Sequence, residues 1–109
     1  MNSISLDDFK NEFDKHIICF FEEIQIEENI KEALSYSVKN GGKRLRPWFI
    51  YNFGKSEDIS SENLINAGIA VEILHSSSLI HDDLPALDDA NFRRGVLTNH
   101  LRFGEYKAI

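Results

Sequence analysis

The chain has 109 residues, 42% of them hydrophobic, which is enough apolar content for the core of about one domain. Its formal net charge of −6 argues against a nucleic-acid-binding protein, because such proteins present a strongly basic face. The single cysteine excludes a disulfide within the chain.

The first part of the chain predicts an amphipathic helix over residues 7–23. Its apolar residues recur at three- to four-residue spacing, at Phe9, Phe13, Ile17, Phe20 and Ile24. Cys19 lies in the apolar run HIICFF, which favours a small buried side chain over a reactive thiol. The N-terminus lacks the basic start and apolar run of a secretory signal, and no window has the length and hydropathy of a membrane span. We therefore expect a cytoplasmic protein with no membrane span.

Two shorter helices are predicted next. The second helix carries its apolar face at Ile30, Ala33, Leu34 and Val38, and the glycine pair Gly41 and Gly42 is expected to end it. Pro47 suits the first turn of a third helix, which we expect to end at Gly54.

A long central helix follows the polar loop GKSEDISSEN and is expected to begin at a capping Ser60 or Ser61. It is apolar on most of its surface, which is typical of a helix packed on several sides. After it, FRRGVLTNH is expected to be a loop and LRFGEYKAI to restart a helix. No stop signal follows that last pattern, so we expect the chain to be part of a longer protein. No strand alternation is evident, and the predicted fold class is all-α.

A polar stripe runs along the otherwise apolar long helix. His75 and Asp82 are seven residues apart, within about 20° of the same helix face, and Ser78 lies between them. Because burying unpaired polar groups is costly, such a stripe is expected to line a cavity or a wet cleft. The alternative is a polar seam where two helices pack.

The stretch HDDLPALDD places an acidic cluster at the end of this helix. On a straight helix Asp82 and Asp88 would point about 120° apart. Pro85 cannot donate to the carbonyl of His81 and disfavours helical angles at Leu84, so we expect the helix to break and Asp88 to swing back beside Asp82. Two converging carboxylates with oxygen-only ligands favour Mg²⁺ or Ca²⁺ over zinc. The alternative is an acidic helix end in water.

Two basic groups flank the acidic cluster in sequence. GGKRLRP supplies Lys43, Arg44 and Arg46 around a predicted helix start, and RRG supplies Arg93 and Arg94. Such groups suit phosphate oxygens. Mg²⁺ sites are commonly completed by substrate phosphates, so acidic residues together with these cations favour a metal-bridged diphosphate. Taken singly, each basic group is more often a solvated surface.

This combination resembles the trans-isoprenyl diphosphate synthases, the polyprenyl synthetase family of farnesyl and geranylgeranyl diphosphate synthases. The matching stretches are GGKRLRP, the HSSSLIHDD run that begins at His75, the aspartate-rich motif in its longer D-D-x-x-x-x-D form, RRG and TNH. The resemblance implies that residues 1–109 are the N-terminal part of a single polyprenyl synthetase domain, an all-α isoprenoid-synthase helical bundle.

The resemblance also implies roles for individual residues. The Mg²⁺ ligands that hold the allylic diphosphate correspond to Asp82 and Asp88, with Asp83 supporting them, and Arg93 corresponds to an allylic-diphosphate contact. The pocket for isopentenyl diphosphate corresponds to Lys43, Arg46, His75 and Arg94, whereas Arg44 is expected to point elsewhere. The implied reaction is ionisation of the allylic diphosphate, attack of the isopentenyl double bond on the carbocation, and loss of a proton.

The chain also departs from the family pattern. After RRG, members often have KPTNH, but Val96 and Leu97 precede TNH here, so any role of the usual lysine is absent. A second aspartate-rich motif lies far downstream in the family and is not within these residues. We therefore predict that residues 1–109 alone do not turn over substrate, and prenyl transfer by the isolated fragment would refute this.

Product length is predicted from the helix turn before the aspartates. In the family, bulky residues there floor the product pocket, whereas this chain has Ser77 and Ser78. One open helical turn deepens a pocket by about 5.4 Å, which favours geranylgeranyl or longer products unless Leu74 closes the pocket. The alternatives are a farnesyl diphosphate synthase, a non-catalytic homologous subunit, and a terpene cyclase. GGKRLRP and His75 argue against the terpene cyclase, which needs no isopentenyl pocket. Family members are commonly homodimers, which is the expected assembly.

Overall fold

The computed structural model describes residues 4–109, so residues 1–3 of the predicted domain lie outside the described residues. Within this range the chain forms six α-helices and one antiparallel pair of very short strands. The elements are α1 (Leu6–Glu23), α2 (Glu28–Lys39), α3 (Leu45–Ser56), α4 (Ser61–Asp82), β1 (Phe92–Arg93), β2 (Val96–Leu97), α5 (Asn99–Phe103) and α6 (Glu105–Ala108). The all-α prediction is confirmed. No helix of the described residues combines the length and the apolar character of a membrane span.

The chain divides into two compact units, which are described separately. The first unit contains residues 4–23 and 43–72, and therefore α1, α3 and the start of α4. The second unit contains residues 24–42 and 73–109, with α2, the end of α4, the strand pair, α5 and α6.

The core of the first unit is built on one row of α1 side chains. Buried apolar residues recur there at intervals of four, at Phe9, Phe13, Ile17 and Phe21. The sequence pattern is therefore right for the first three positions and wrong at the end of the helix. Phe20 is only half-buried and packs edge-on against Phe21, with ring centroids 5.2 Å apart. The predicted burial of Cys19 is also wrong, since it lies about 200° around the helix from Ile17 and is exposed.

Close helix packing in the first unit depends on two glycines. A Cβ on Gly68 would lie 2.8 Å from Cβ of Pro47, and a Cβ on Gly54 would collide with Cδ2 of Leu64. Gly54 is thus a packing residue inside α3, which continues to Ser56, and the prediction that this glycine ends the helix is wrong. The predicted start of α4 is confirmed, because the Ser60 hydroxyl accepts the Asn63 N–H at 3.2 Å.

The second unit is organised around α2. The Glu27 carboxylate accepts the Ile30 N–H at 3.1 Å and caps the start of this helix, which ends at Lys39 with Asn40 as its cap. The helix therefore ends directly before Gly41 and Gly42, where the sequence predicts its end, although neither glycine has the positive φ of a glycine cap.

Side chains on or beside α2 anchor the C-terminal elements of the second unit. The Asn99 Nδ2 group donates to Ala33 O and to Ser37 Oγ, both at 2.8 Å, and the Tyr36 hydroxyl donates to Leu97 O at 2.7 Å. The expected C-terminal helix is present as α5 and α6, which Gly104 separates with a φ of 93°. The strand pair and α5 are thus fixed to α2 within the second unit.

Candidate active site

The acidic cluster lies where α4 ends and the chain reverses. The helix ends at Asp82, three residues before Pro85, because a proline offers no N–H to continue the helical hydrogen bonds. The Asp88 N–H then donates to the Asp82 carbonyl at 2.9 Å. The predicted helix break is confirmed, and it brings together two residues that a straight helix would place on different faces. Both Asp82 and Asp88 are exposed.

Two further hydrogen bonds close this aspartate turn, residues 82–90. The Asp89 N–H donates to Leu84 O at 3.0 Å, and the Ala90 N–H donates to Asp83 O at 3.1 Å. Asp89 has a φ of 52°, a left-handed conformation that aspartate tolerates better than most residues. The fourth aspartate of HDDLPALDD therefore has a role in the backbone of the turn.

Asp83 faces inward and pairs with Arg93. Its side chain is only 4% exposed, and its two oxygens accept Arg93 Nη2 at 2.7 Å and Arg93 Nε at 2.8 Å. This forked geometry is the strong form of an arginine–carboxylate pair. The hydrogen bond with Asp83 raises the pKa of Arg93, and the negative charges of Asp82 and Asp88 add to this rise. Arg93 is therefore a fixed cation in the field of the exposed aspartates.

Arg93 and Arg94 are carried by a tight hairpin, so the prediction that FRRGVLTNH is a loop is wrong. Phe92 pairs with Leu97 and Arg93 with Val96, and residues 94–95 form the turn. Arg94 and Gly95 have φ values of 53° and 82°, as a two-residue type I′ turn requires. A left-handed arginine is uncommon, and such strain often lies at functional sites.

The TNH segment supports the base of the hairpin. Thr98 Oγ1 donates to Ala90 O at 2.8 Å and links the hairpin to the end of the aspartate turn. Asn99 Oδ1 and His100 Nδ1 are buried and have no hydrogen-bond partner among the described protein atoms. The segment is therefore a buried structural support in which two polar atoms are left unsatisfied.

The predicted polar stripe on α4 is only partly realised. His75 is half-buried, Ser78 is exposed, and Ser78 Oγ donates to His75 O at 2.6 Å. The Ser78 hydroxyl is thus used by its own helix backbone, as serine often does within helices.

The residues assigned to product length differ in their surroundings. Leu74 is 72% exposed in the described residues. Ser77 Oγ donates to Ile73 O at 2.9 Å, and Ser77 lines a cavity of about 260 Å³ together with Leu34 and Ile80. Ser77 is therefore the candidate that borders open space within the second unit.

The cations of GGKRLRP belong to the first unit and differ sharply in burial. Lys43 and Arg46 are exposed, whereas Arg44 is 2% exposed and has a φ of 61°. Arg44 Nη1 lies 2.7 Å from a Glu72 oxygen, and Arg44 Nε lies 2.8 Å from an Asp14 oxygen. Arg44 is thus a buried structural cation, in line with its expected separation from the pocket residues.

Sequence reasoning missed the acidic partners of Arg44. Glu72 falls in the apolar stretch GIAVEILH, and an acid in such a stretch is a signal for a buried charge partner. Asp14 carries no such signal, since it occupies an ordinary polar position of α1.

The aspartate turn offers too few protein ligands to hold Mg²⁺ alone, and it fits the ion only together with phosphate ligands from a substrate. Among residues 4–109, no group of three or more His, Cys, Asp or Glu side chains could hold a metal by itself. Asp82 and Asp88 nevertheless offer two exposed carboxylates, and the backbones of these two residues are joined by one hydrogen bond. Mg²⁺ is commonly bound by one or two carboxylates, with waters and substrate phosphates completing its shell. The pair therefore fits a Mg²⁺–diphosphate complex better than a bare ion.

The sequence of this chain is similar to that of known prenyl diphosphate synthases. A family model described as Polyprenyl synthetase matches residues 27–109. The farnesyl diphosphate synthase of Escherichia coli is 48% identical over 80 residues, which are 73% of this chain and 27% of that protein. Geranylgeranyl pyrophosphate synthase 12, chloroplastic, of Arabidopsis thaliana is also 48% identical over 80 residues, or 73% of this chain and 22% of that protein.

The fold comparison agrees with the sequence comparison. The crystal structure of a geranyltransferase from Legionella pneumophila is similar with a TM-score of 0.89 and 37% identity, over 95% of this chain and 37% of that chain. The chain spans about a third or less of the length of the curated relatives it matches.

Proposed function

The chain belongs to the polyprenyl synthetase family, and on this premise we propose that the complete protein is a trans-prenyltransferase. It joins isopentenyl diphosphate to an allylic diphosphate and requires Mg²⁺. The observation that carries the proposal is the aspartate turn, in which the helix break before Pro85 pairs Asp82 with Asp88 through a 2.9 Å backbone hydrogen bond.

In this proposal Asp82 and Asp88 hold Mg²⁺ against the allylic diphosphate. When bound, Mg²⁺ supplies positive charge that makes diphosphate a better leaving group. The exposure of both carboxylates supports this role, because each has lone pairs open to a ligand. Asp83 is assigned a different task, since its side chain is 4% exposed and each of its oxygens accepts a hydrogen bond from Arg93.

Arg93 is proposed to stabilise the charge that develops on the diphosphate as the C–O bond breaks. Its guanidinium is held on one edge by Asp83, and about a third of its side chain (35%) remains exposed. A cation fixed before the reaction costs little reorganisation when charge appears, which is the basis of electrostatic catalysis. Asp83 is accordingly a positioning residue for Arg93.

The isopentenyl diphosphate is proposed to contact His75 and Arg94. Both lie in the second unit, Arg94 at the tip of the hairpin and His75 on the half-buried face of α4. The same assignment for Lys43 and Arg46 rests on the GGKRLRP motif alone, and their exposure in the first unit is consistent with ligand binding.

We propose that the product is geranylgeranyl diphosphate or a longer chain. The support is the small Ser77 side chain beside the 260 Å³ cavity, since neither Ser77 nor Ser78 is a bulky residue. The alternative is farnesyl diphosphate. Relatives named for each product have the same 48% identity over 80 residues, so overall similarity does not choose between them.

The test is product formation by the complete protein. Radiolabelled isopentenyl diphosphate is supplied with Mg²⁺ and with dimethylallyl, geranyl or farnesyl diphosphate in turn, and the chain lengths of the products are separated by chromatography. We expect label in C20 or longer products, lost on chelation of the metal. A folded complete protein that incorporates no label with any of the three acceptors would overturn the proposal.

A matched pair of variants tests the aspartate turn itself. Asp88→Asn removes a proposed metal ligand, and we expect a loss of activity of at least about 100-fold. Asp89→Asn removes the neighbouring charge but keeps a side chain that tolerates the φ of 52°, so activity is expected to stay within about twofold of the unmodified protein. Equal losses in both variants would contradict the assignment.

We also propose that the complete protein is a homodimer. This rests on the family membership. Its mass in solution, measured by light scattering after size exclusion, tests it, and a monomer would refute it.

A further inference from the structure

Gly42 is a glycine that its own backbone does not require. Among the described glycines, only Gly95 and Gly104 have positive φ values. Gly42 also does not cap α2, since Asn40 holds that position. Another reason must account for the missing side chain.

The reason is the close approach of Arg94. A Cβ placed on Gly42 would lie 3.1 Å from Nη2, 3.2 Å from Nε and 3.3 Å from Cζ of Arg94. These three atoms belong to one planar guanidinium, and their distances place the built Cβ above the plane, beside the edge formed by Nε and Nη2. All three distances are shorter than ordinary van der Waals contact with a carbon.

Arg94 is therefore constrained from two directions. From its own backbone, it is held in a left-handed turn, with a φ of 53°, by the pairing of β1 with β2. At its side chain, the guanidinium approaches Gly42 so closely that a Cβ there would force it to shift by a few tenths of an ångström. Strained conformations of this kind persist where the surroundings over-determine them.

We infer that Gly42 is a positioning residue for Arg94, the seat on which its guanidinium rests. With Gly42 against the Nε–Nη2 side, the guanidinium would meet a diphosphate through N–H groups on its other sides, in the forked geometry that arginine uses for phosphate. The inference rests on the proposed function for the identity of the ligand, isopentenyl diphosphate, but the seat itself is a contact within the second unit.

A kinetic comparison on the complete protein tests the seat. Gly42→Ala should raise the KM for isopentenyl diphosphate between about threefold and about tenfold, because a displaced guanidinium loses part of a charge-assisted hydrogen bond. The KM for the allylic diphosphate and kcat should change less than about twofold, since the allylic site is untouched. Unchanged KM for isopentenyl diphosphate would overturn the inference.

A double-mutant cycle separates the seat from a general effect on folding. In an Arg94→Ala background, Gly42→Ala should raise KM no further, because the group it displaces is gone. Gly104→Ala is the matched control: its φ of 93° makes the substitution strained, while a Cβ there would meet no atom within 4 Å. It should lower Tm without raising KM for isopentenyl diphosphate.

Thermal melting completes the cycle without any substrate, and so remains informative if the proposed activity is absent. Gly42→Ala should lower Tm when Arg94 is present and have little effect in Arg94→Ala. The seat is also supported if Gly42→Ala folds only in the Arg94→Ala background. An equal loss of Tm or of folding in both backgrounds would overturn it, because the glycine would then serve the backbone. Absence of prenyl transfer in the unmodified protein would count against the proposed function alone.

Discussion

Breaking the Asp83–Arg93 pair should destabilise the protein by amounts that depend on which partner is removed. Asp83 is 4% exposed and Arg93 is 35% exposed, and the pair is joined by two hydrogen bonds of 2.7 and 2.8 Å. Arg93→Ala leaves a carboxylate that is 4% exposed in the folded protein without its partner. Asp83→Ala leaves a guanidinium that is already partly hydrated and lies in the field of Asp82 and Asp88.

The magnitudes follow from this asymmetry. An uncompensated buried charge typically costs 3–5 kcal/mol, and the partial exposure of this pair places Arg93→Ala near the lower end, at about 3 kcal/mol. Loss of the charged hydrogen bonds alone, with the arginine screened by water, places Asp83→Ala at about 1.5 kcal/mol. The double variant should be more stable than Arg93→Ala, because it removes the stranded carboxylate.

Urea denaturation of the complete protein, followed by far-UV circular dichroism, measures these free energies of unfolding. The exposed pair of Glu12 and Lys15, with side chains 62% and 73% exposed, is the matched control, and Glu12→Ala should cost less than about 0.5 kcal/mol. If Arg93→Ala destabilises no more than Asp83→Ala, the reasoning from burial is wrong.

The pH dependence of this pair follows from the raised pKa of Arg93. A cation whose folded-state pKa is raised contributes stability that is fully present below its unfolded-state pKa, and this stability is lost only as the pH rises through the folded value. An arginine stays charged at any working pH. The cost of Arg93→Ala should therefore be equal at pH 7 and pH 9.

Three other predictions concern separate parts of the chain. In the complete protein, Ser77→Tyr should fill the cavity beside α4 and, if the proposed activity holds, shorten the product by about one isoprene unit, as measured by chromatography. Gly54→Ala should cost about 2 kcal/mol in urea denaturation, because its methyl group would collide with Leu64. The pKa of Glu27 is lowered by hydrogen bonds from the backbone N–H groups of Asn29 and the following residue. The stability that Glu27 gives to the start of α2 should therefore be present above its unfolded-state pKa and lost as the pH falls through its folded-state pKa. NMR measures this loss.

Each of these three predictions has its own control. An unchanged product spectrum in Ser77→Tyr counts against the pocket assignment, with Ser78→Tyr as the comparison on the exposed face. Leu64→Ala should relieve part of the cost of Gly54→Ala, and strict additivity would contradict the collision. Glu27→Gln should remove the pH dependence of the α2 start, whereas a persisting dependence would assign it to another group.

Much of the helical framework could be predicted from the sequence because its signals are local. The α1 spacing, the serine cap of α4 and the break before Pro85 each depend on residues within one or two helical turns of one another. The hairpin carried no such signal, since strands of two residues are too short to show alternation. Its turn also uses a left-handed arginine, which no propensity favours.

The roles of the glycines were misjudged for a related reason. Gly42 and Gly54 were expected to end helices, which is the commonest local reason for a glycine. In the structure, each makes room for a side chain that is distant in sequence, the Arg94 guanidinium in one case and Leu64 in the other. Sequence alone cannot distinguish a glycine needed for its φ from a glycine needed for its size.

The sequence by itself determined that the chain is helical, that α4 breaks at its acidic end, and in which order the acidic cluster and the two basic groups occur. These properties arise from the helical period and from the missing N–H of Pro85, which act within a few residues. Only the tertiary structure decided which groups each arginine contacts. Arg44 is buried between two acids, Arg93 is forked onto Asp83, and Arg94 rests on Gly42. Chemically identical side chains are distinguished by the partners that folding brings within about 3 Å, and most of those partners are far away in sequence.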